Sequence, residues 1–151
     1  MADLHIEDFY KDVAVILVQL YTVFPRRTNL FVEDIAGPDA PDEFGLHSKR
    51  HMACFGTLVW LQEEGWLRYV DTIRQEALDQ AVLTHKAFVR LSAPVPRALA
   101  EKFGAGPAGI APGLIIWADL LRAALKTGSS TRISLVVQAA FFTEPAAGLL
   151  H

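Results

Sequence analysis

The stretch Leu58-Val59-Trp60-Leu61-Gln62-Glu63-Glu64-Gly65-Trp66-Leu67-Arg68-Tyr69 decides the reading of this chain. Leu58 and Leu61 continue a stripe that begins at Cys54, at spacings of four and three, which is one face of an α-helix. Glu63 and Glu64 fit a solvated helix end better than a carboxylate pair, since adjacent helical residues point about 100° apart. Gly65 supplies the left-handed residue that commonly closes a helix. Trp66, Tyr69 and Val70 favour a pleated environment, so a strand follows at once over 66–70. Upstream, Ser48 is an N-cap residue, and the helix is expected over 48–64.

Towards the N-terminus, apolar residues at Phe9, Val13, Ile16, Leu17, Leu20 and Phe24 predict a helix over 8–24, stopped by Pro25. Val15, Val18 and Tyr21 widen its stripe, so more than one side should be covered. Residues 28–32 read as extended and 33–36 as one short helix closed by Gly37 and Pro38. Residues 37–45 form a loop carrying Asp39, Asp42 and Glu43. Beyond the strand, 71–79 is polar and read as a loop, 80–83 returns as a strand, and Thr84 caps a helix running to Leu91. Pro94 and Pro96 mark a joint. After it come 97–103, a Gly/Pro/Ala-rich connection at 104–113, and a helix over 114–126. Residues 131–142 are apolar enough for a helix or a buried strand; Ala139-Ala140 and the preceding serines favour helix.

This order is long helix, extended piece, short helix, long helix, hairpin with a polar tip, helix. It resembles the winged-helix (winged helix-turn-helix) DNA-binding superfamily, of the small bacterial regulator type. The phrase from Leu61 through Gly65 to Trp66-Leu67 is similar to the end of a recognition helix running into a wing strand. Leu83-Thr84-His85-Lys86-Ala87-Phe88 resembles the segment that follows the wing. The resemblance covers 8–91 and implies a mainly α fold with a small β-hairpin. A winged-helix domain over 1–92 would be followed by a C-terminal helical extension over 93–151. It implies a recognition helix over 47–60, with His47, Ser48, Lys49, Arg50 and His51 facing phosphates and base edges. Arg74 and Gln75 would form the wing tip, and Arg26 and Arg27 a backbone contact. The implied function is a sequence-specific, dimeric transcriptional regulator of double-stranded DNA, in the cytoplasm.

Composition constrains that reading. The chain has 151 residues, 52% of them hydrophobic and 21% charged, which suits one packed domain or a domain plus an extension. Mean hydropathy is +0.25. No uncharged apolar run reaches the roughly 18 residues of a membrane span, and the acidic start Asp3 argues against a secretory signal. One cysteine excludes a disulfide framework within the chain. Net charge is −3, divided as 9 Lys/Arg against 14 Asp/Glu in residues 1–91 and 5 against 3 in residues 92–151. DNA binders are ordinarily basic, so the alternative is a non-enzymatic winged-helix adaptor or inhibitor that holds a protein partner. The apolar excess of the first helix, with Leu114, Ile115, Ile116, Trp117, Leu120, Leu121, Leu125, Phe141 and Phe142, predicts a homodimer built from these surfaces.

Other chemistry is less well supported. His47, His51 and Cys54 share a helix face, and Glu43 or His85 would complete a metal set. Burial of Cys54 beside Leu58 is the simpler expectation, so no metal, cofactor or catalytic residue is assigned. The glycines of 104–113 lack the Lys-Ser/Thr of a phosphate loop. Trp60, Trp66 and Trp117 are expected to pack in the core or a dimer interface rather than to line a ligand pocket.

Overall fold

The computed structural model describes residues 3–103 and 114–143. The connection at 104–113 lies outside the described residues. In chain order the elements are α1 (Leu4–Val23), β1 (Thr28–Phe31), α2 (Val32–Ala36), α3 (Lys49–Glu63), β2 (Leu67–Arg68), β3 (Asp71–Ile73), β4 (Ala77–Leu83), α4 (His85–Ser92), α5 (Arg97–Lys102), α6 (Trp117–Thr127) and α7 (Ser130–Phe141). The protein is mainly helical with one small antiparallel sheet. In that sheet β4 is central: it pairs with β1 on one side and with β2 and β3 on the other.

The helix ends are where the side chains put them. Ser48 caps α3 by accepting from the His51 N–H at 3.1 Å. Gly65, at φ +80°, turns the chain out of α3, and the Trp66 N–H returns to the Leu61 carbonyl at 2.9 Å. Thr84 accepts from the Ala87 N–H to cap α4, while its hydroxyl donates to the Gly65 carbonyl at 2.7 Å. One threonine therefore ties the end of α3 to the start of α4.

The polar stretch read as a loop over 71–79 is instead mostly paired. Asp71, Thr72 and Ile73 stand opposite Asp79, Leu78 and Ala77, leaving only Arg74, Gln75 and Glu76 as the turn. Backbone pairing to a central strand does not need apolar side chains on a solvent-facing arm, so hydropathy alone misses β3. Conversely, β2 is only two residues long, and Trp66 packs before it. The 131–142 ambiguity resolves as helix α7.

One continuous hydrophobic cluster runs across the Pro94 joint. It joins Leu17 and Leu20 of α1, Leu58 and Leu61 of α3, Leu78 and Leu83 of β4, Leu120 and Leu121 of α6, and Val136 and Val137 of α7, all nearly or fully buried. Helix α1 packs against α3 and also against α6 and α7. The apolar excess that suggests a second copy is thus spent largely within the chain. Arginines fasten the same docking: Arg122 donates to Thr22 Oγ1 at 3.1 Å and lies over the Tyr21 ring, Arg90 donates to the Ala140 carbonyl, and Arg132 to the Phe103 carbonyl. No described helix is long and apolar enough to cross a membrane.

Candidate functional site

Helix α3 presents Lys49, Ala53, Gly56 and Trp60 to solvent, at spacings of four, three and four. Opposite them, the first turns of α1 present His5, Ile6 and Phe9. Between the two helices lies an open, largely apolar groove of about 380 Å³, with Asp12 and Thr57 in its floor. Trp60 closes one end, edge-on to Phe9 at 5.3 Å and to Phe142 at 5.9 Å. Ile6 is 41% exposed and Trp60 36%. Trp66 and Trp117, by contrast, are buried. Gly56 sits mid-helix, where glycine costs about 1 kcal/mol relative to alanine. A Cβ there would meet nothing within 4 Å. Packing does not require this glycine; what its missing side chain preserves is the depth of the groove.

The residues expected to face DNA are distributed differently. Arg50 turns inward and clamps Asp12 with two hydrogen bonds, Nη1 to Oδ2 at 2.7 Å and Nη2 to Oδ1 at 2.6 Å, with Asp8 at 3.6 Å. Asp12 is only 1% exposed. Its hydrogen bonds raise the Arg50 pKa above the ordinary guanidinium value. The acids of α1 therefore do not stand apart from α3; they neutralise its arginine. His51 is also buried, and its Nε2 lies 2.7 Å from the Gln75 carbonyl. Since a carbonyl only accepts, that nitrogen carries the proton. The contact pins the β3–β4 turn, with Arg74 and Gln75, against the first turn of α3. Lys49 and Arg74 remain exposed at this end. Arg26 and Arg27 are exposed at the opposite end of the β1–β4 ladder, where Arg27 donates to the Gln80 carbonyl at 3.2 Å.

The α3 N-terminus carries a second constellation. Asp39, from the loop, accepts from the Ser48 N–H at 3.2 Å and from His47 Nδ1 at 2.9 Å. Hydrogen bonding by the Ser48 side chain, then by His47 and the Ser48 N–H, holds the Asp39 carboxyl at about 2. The His47 and His51 rings stack at 3.8 Å between centroids and 7° between planes. Asp39, His47 and His51 offer ligand atoms all within 4.8 Å of one another. Cys54, one turn on, belongs to the core, and burial pushes its thiol up to about 12, so it supplies no thiolate at neutral pH. The histidines were legible from the sequence; Asp39 was not, because a loop acid eight residues before His47 obeys no helical period.

No protein-family model, curated protein or solved structure matches the chain.

Proposed function

We propose that this chain is a winged-helix scaffold that binds a protein partner in the α1–α3 groove, acting in the cytoplasm without catalysis. The observation that carries this reading is the solvent face of α3. In a base-reading helix that face bears donors and acceptors. Here, after Lys49, it bears Ala53, Gly56 and Trp60, beside a largely apolar groove. The partner that suits it is an amphipathic helix laid into the groove, its apolar anchors against Ile6, Phe9 and Trp60.

The second reading is dimeric binding of double-stranded DNA. It is favoured by one feature, the approach of the Arg74–Gln75 turn to the start of α3, where Lys49 is exposed. The substitution Gly56→Leu separates the two. It fills the groove in open space, so the fold is retained. In native mass spectrometry of the chain isolated from its own cells, the wild type should carry one defined protein at fixed stoichiometry and Gly56→Leu should carry none. Duplex DNA affinity that falls steeply with salt, survives Gly56→Leu and is lost in Lys49→Ala would establish the second reading instead.

A further inference from the structure

We propose that Asp39, His47 and His51 form a binding site for a divalent transition-metal ion of the zinc class. The argument begins at His51. This side chain is 2% exposed, and its Nε2 is committed as donor to the Gln75 carbonyl at 2.7 Å. In the neutral imidazole the other ring nitrogen, Nδ1, is then a lone pair. It has no hydrogen-bond partner among the described residues. What it faces is Asp39 Oδ2 at 3.8 Å, too far for a hydrogen bond and itself a lone-pair donor. A buried nitrogen lone pair facing a carboxylate oxygen is unfavourable unless a proton or a metal ion lies between them, and 3.8 Å is longer than an N–H···O hydrogen bond.

Capping explains part of the cluster. Asp39 is held by the Ser48 N–H and His47, as an anion at a helix N-terminus should be. That account leaves His51 Nδ1 unexplained, whereas a shared metal ion explains all three groups. Two imidazole nitrogens and a carboxylate oxygen are the donor set of an open zinc site, with bonds of about 2.0–2.2 Å. Around a tetrahedral ion, such bonds set neighbouring ligand atoms about 3.3–3.6 Å apart. The separations from Asp39 Oδ2, 2.9 Å to His47 Nδ1 and 3.8 Å to His51 Nδ1, lie on either side of that spacing. Because the two rings stack at 7° between planes, their in-plane lone pairs run side by side; to close on an ion, the less buried His47 ring must swing out of the stack and give up the Nδ1 proton that it donates to Asp39. The Gln75 carbonyl on His51 Nε2 is the outer contact that usually fixes tautomer and ring orientation in a ligating histidine. Bound there, the ion would fasten the 37–48 loop to α3 and, through His51 and Gln75, to the β3–β4 turn.

The test is titration of the tag-free full chain with Zn2+ by calorimetry and with Co2+ by visible absorption. One saturable ion per chain is expected. Its affinity should fall at least about tenfold in Asp39→Asn and in His47→Ala, as for lost ligands or their close supports. Both positions are less buried than His51, so their variants retain the fold if His51→Gln does not. Cys54→Ser and His85→Ala should leave affinity unchanged. In 15N spectra of the imidazoles, the His51 Nδ1 resonance should be that of a bare nitrogen and should move on addition of Zn2+. Absence of saturable binding would overturn the assignment. So would affinity indifferent to Asp39→Asn and His47→Ala, or dependent on Cys54.

Discussion

Arg50→Ala should unfold the protein more readily before it changes any binding property. Asp12 is 1% exposed, and two charge-assisted hydrogen bonds from Arg50, at 2.6 and 2.7 Å, compensate its charge. Removing one partner of a fully buried pair costs about 3–5 kcal/mol, chiefly through the charge left behind. The Arg50 side chain is 31% exposed, so solvent already screens part of this interaction. We therefore expect a loss of about 2–3 kcal/mol. For a chain of this size that lowers Tm by roughly 4–12 °C, at about 2–4 °C per kcal/mol. Urea unfolding followed by circular dichroism measures it, with Lys49→Ala as the exposed neighbour, expected within about 0.5 kcal/mol of wild type. Asp12→Ala/Arg50→Ala should be more stable than the sum of the single losses predicts, with a coupling of about 1–3 kcal/mol. An Arg50→Ala variant as stable as wild type, with an additive cycle, would refute this. It would mean that the pair is open in solution and that Arg50 is available to a ligand.

Other expectations follow from the same geometry. Gly56→Ala should stabilise the protein by up to about 1 kcal/mol in the same urea assay, since helix propensity improves where a Cβ meets only open space. Cys54 should resist thiol reagents at pH 8 in the folded state and react on unfolding. Its pKa is pushed up to about 12 in the fold against an ordinary 9.0, so the unfolded state releases its proton first, and stability should fall as pH rises above about 9 relative to Cys54→Ala. Truncation after Ser92 should leave a fragment that binds hydrophobic dyes and melts without a cooperative transition, because α6 and α7 cover one side of α1; a compact, cooperatively folding fragment would show that the core does not depend on them.

The elements were legible wherever a single residue type has a local job. Ser48, Gly65 and Thr84 mark the ends of helices because their side chains, or the lack of one, satisfy backbone groups within a few residues. Strand β3 was not legible, because its partner β4 supplies the stabilisation. The inward turn of Arg50 rests on a contact 38 residues away, yet it left a trace: Asp12 falls on the same stripe as Phe9 and Ile16, and a carboxylate on a buried face needs a counter-charge. Without that counter-charge in view, Arg50 looks available to DNA. The apolar faces behind the expected dimer are in part taken up by α6 and α7. Counting apolar faces is sound, but the count does not say whether the partner is another chain or a later helix of the same one. The metal-ligating cluster was half visible, since His47 and His51 lie one helical turn apart, while Asp39 enters through tertiary structure alone.

Site-specific photocrosslinking in the groove tests the protein-binding account most directly. A photoreactive residue at Ala53, on the exposed face of α3 between Lys49 and Gly56, touches whatever occupies the groove in the native cell. The account predicts a crosslink to one protein, mapped to an amphipathic helical segment, absent in the Gly56→Leu background and absent from a control probe at Lys126. A crosslink from Ala53 to duplex DNA, or one to protein that Gly56→Leu leaves unchanged, would contradict it.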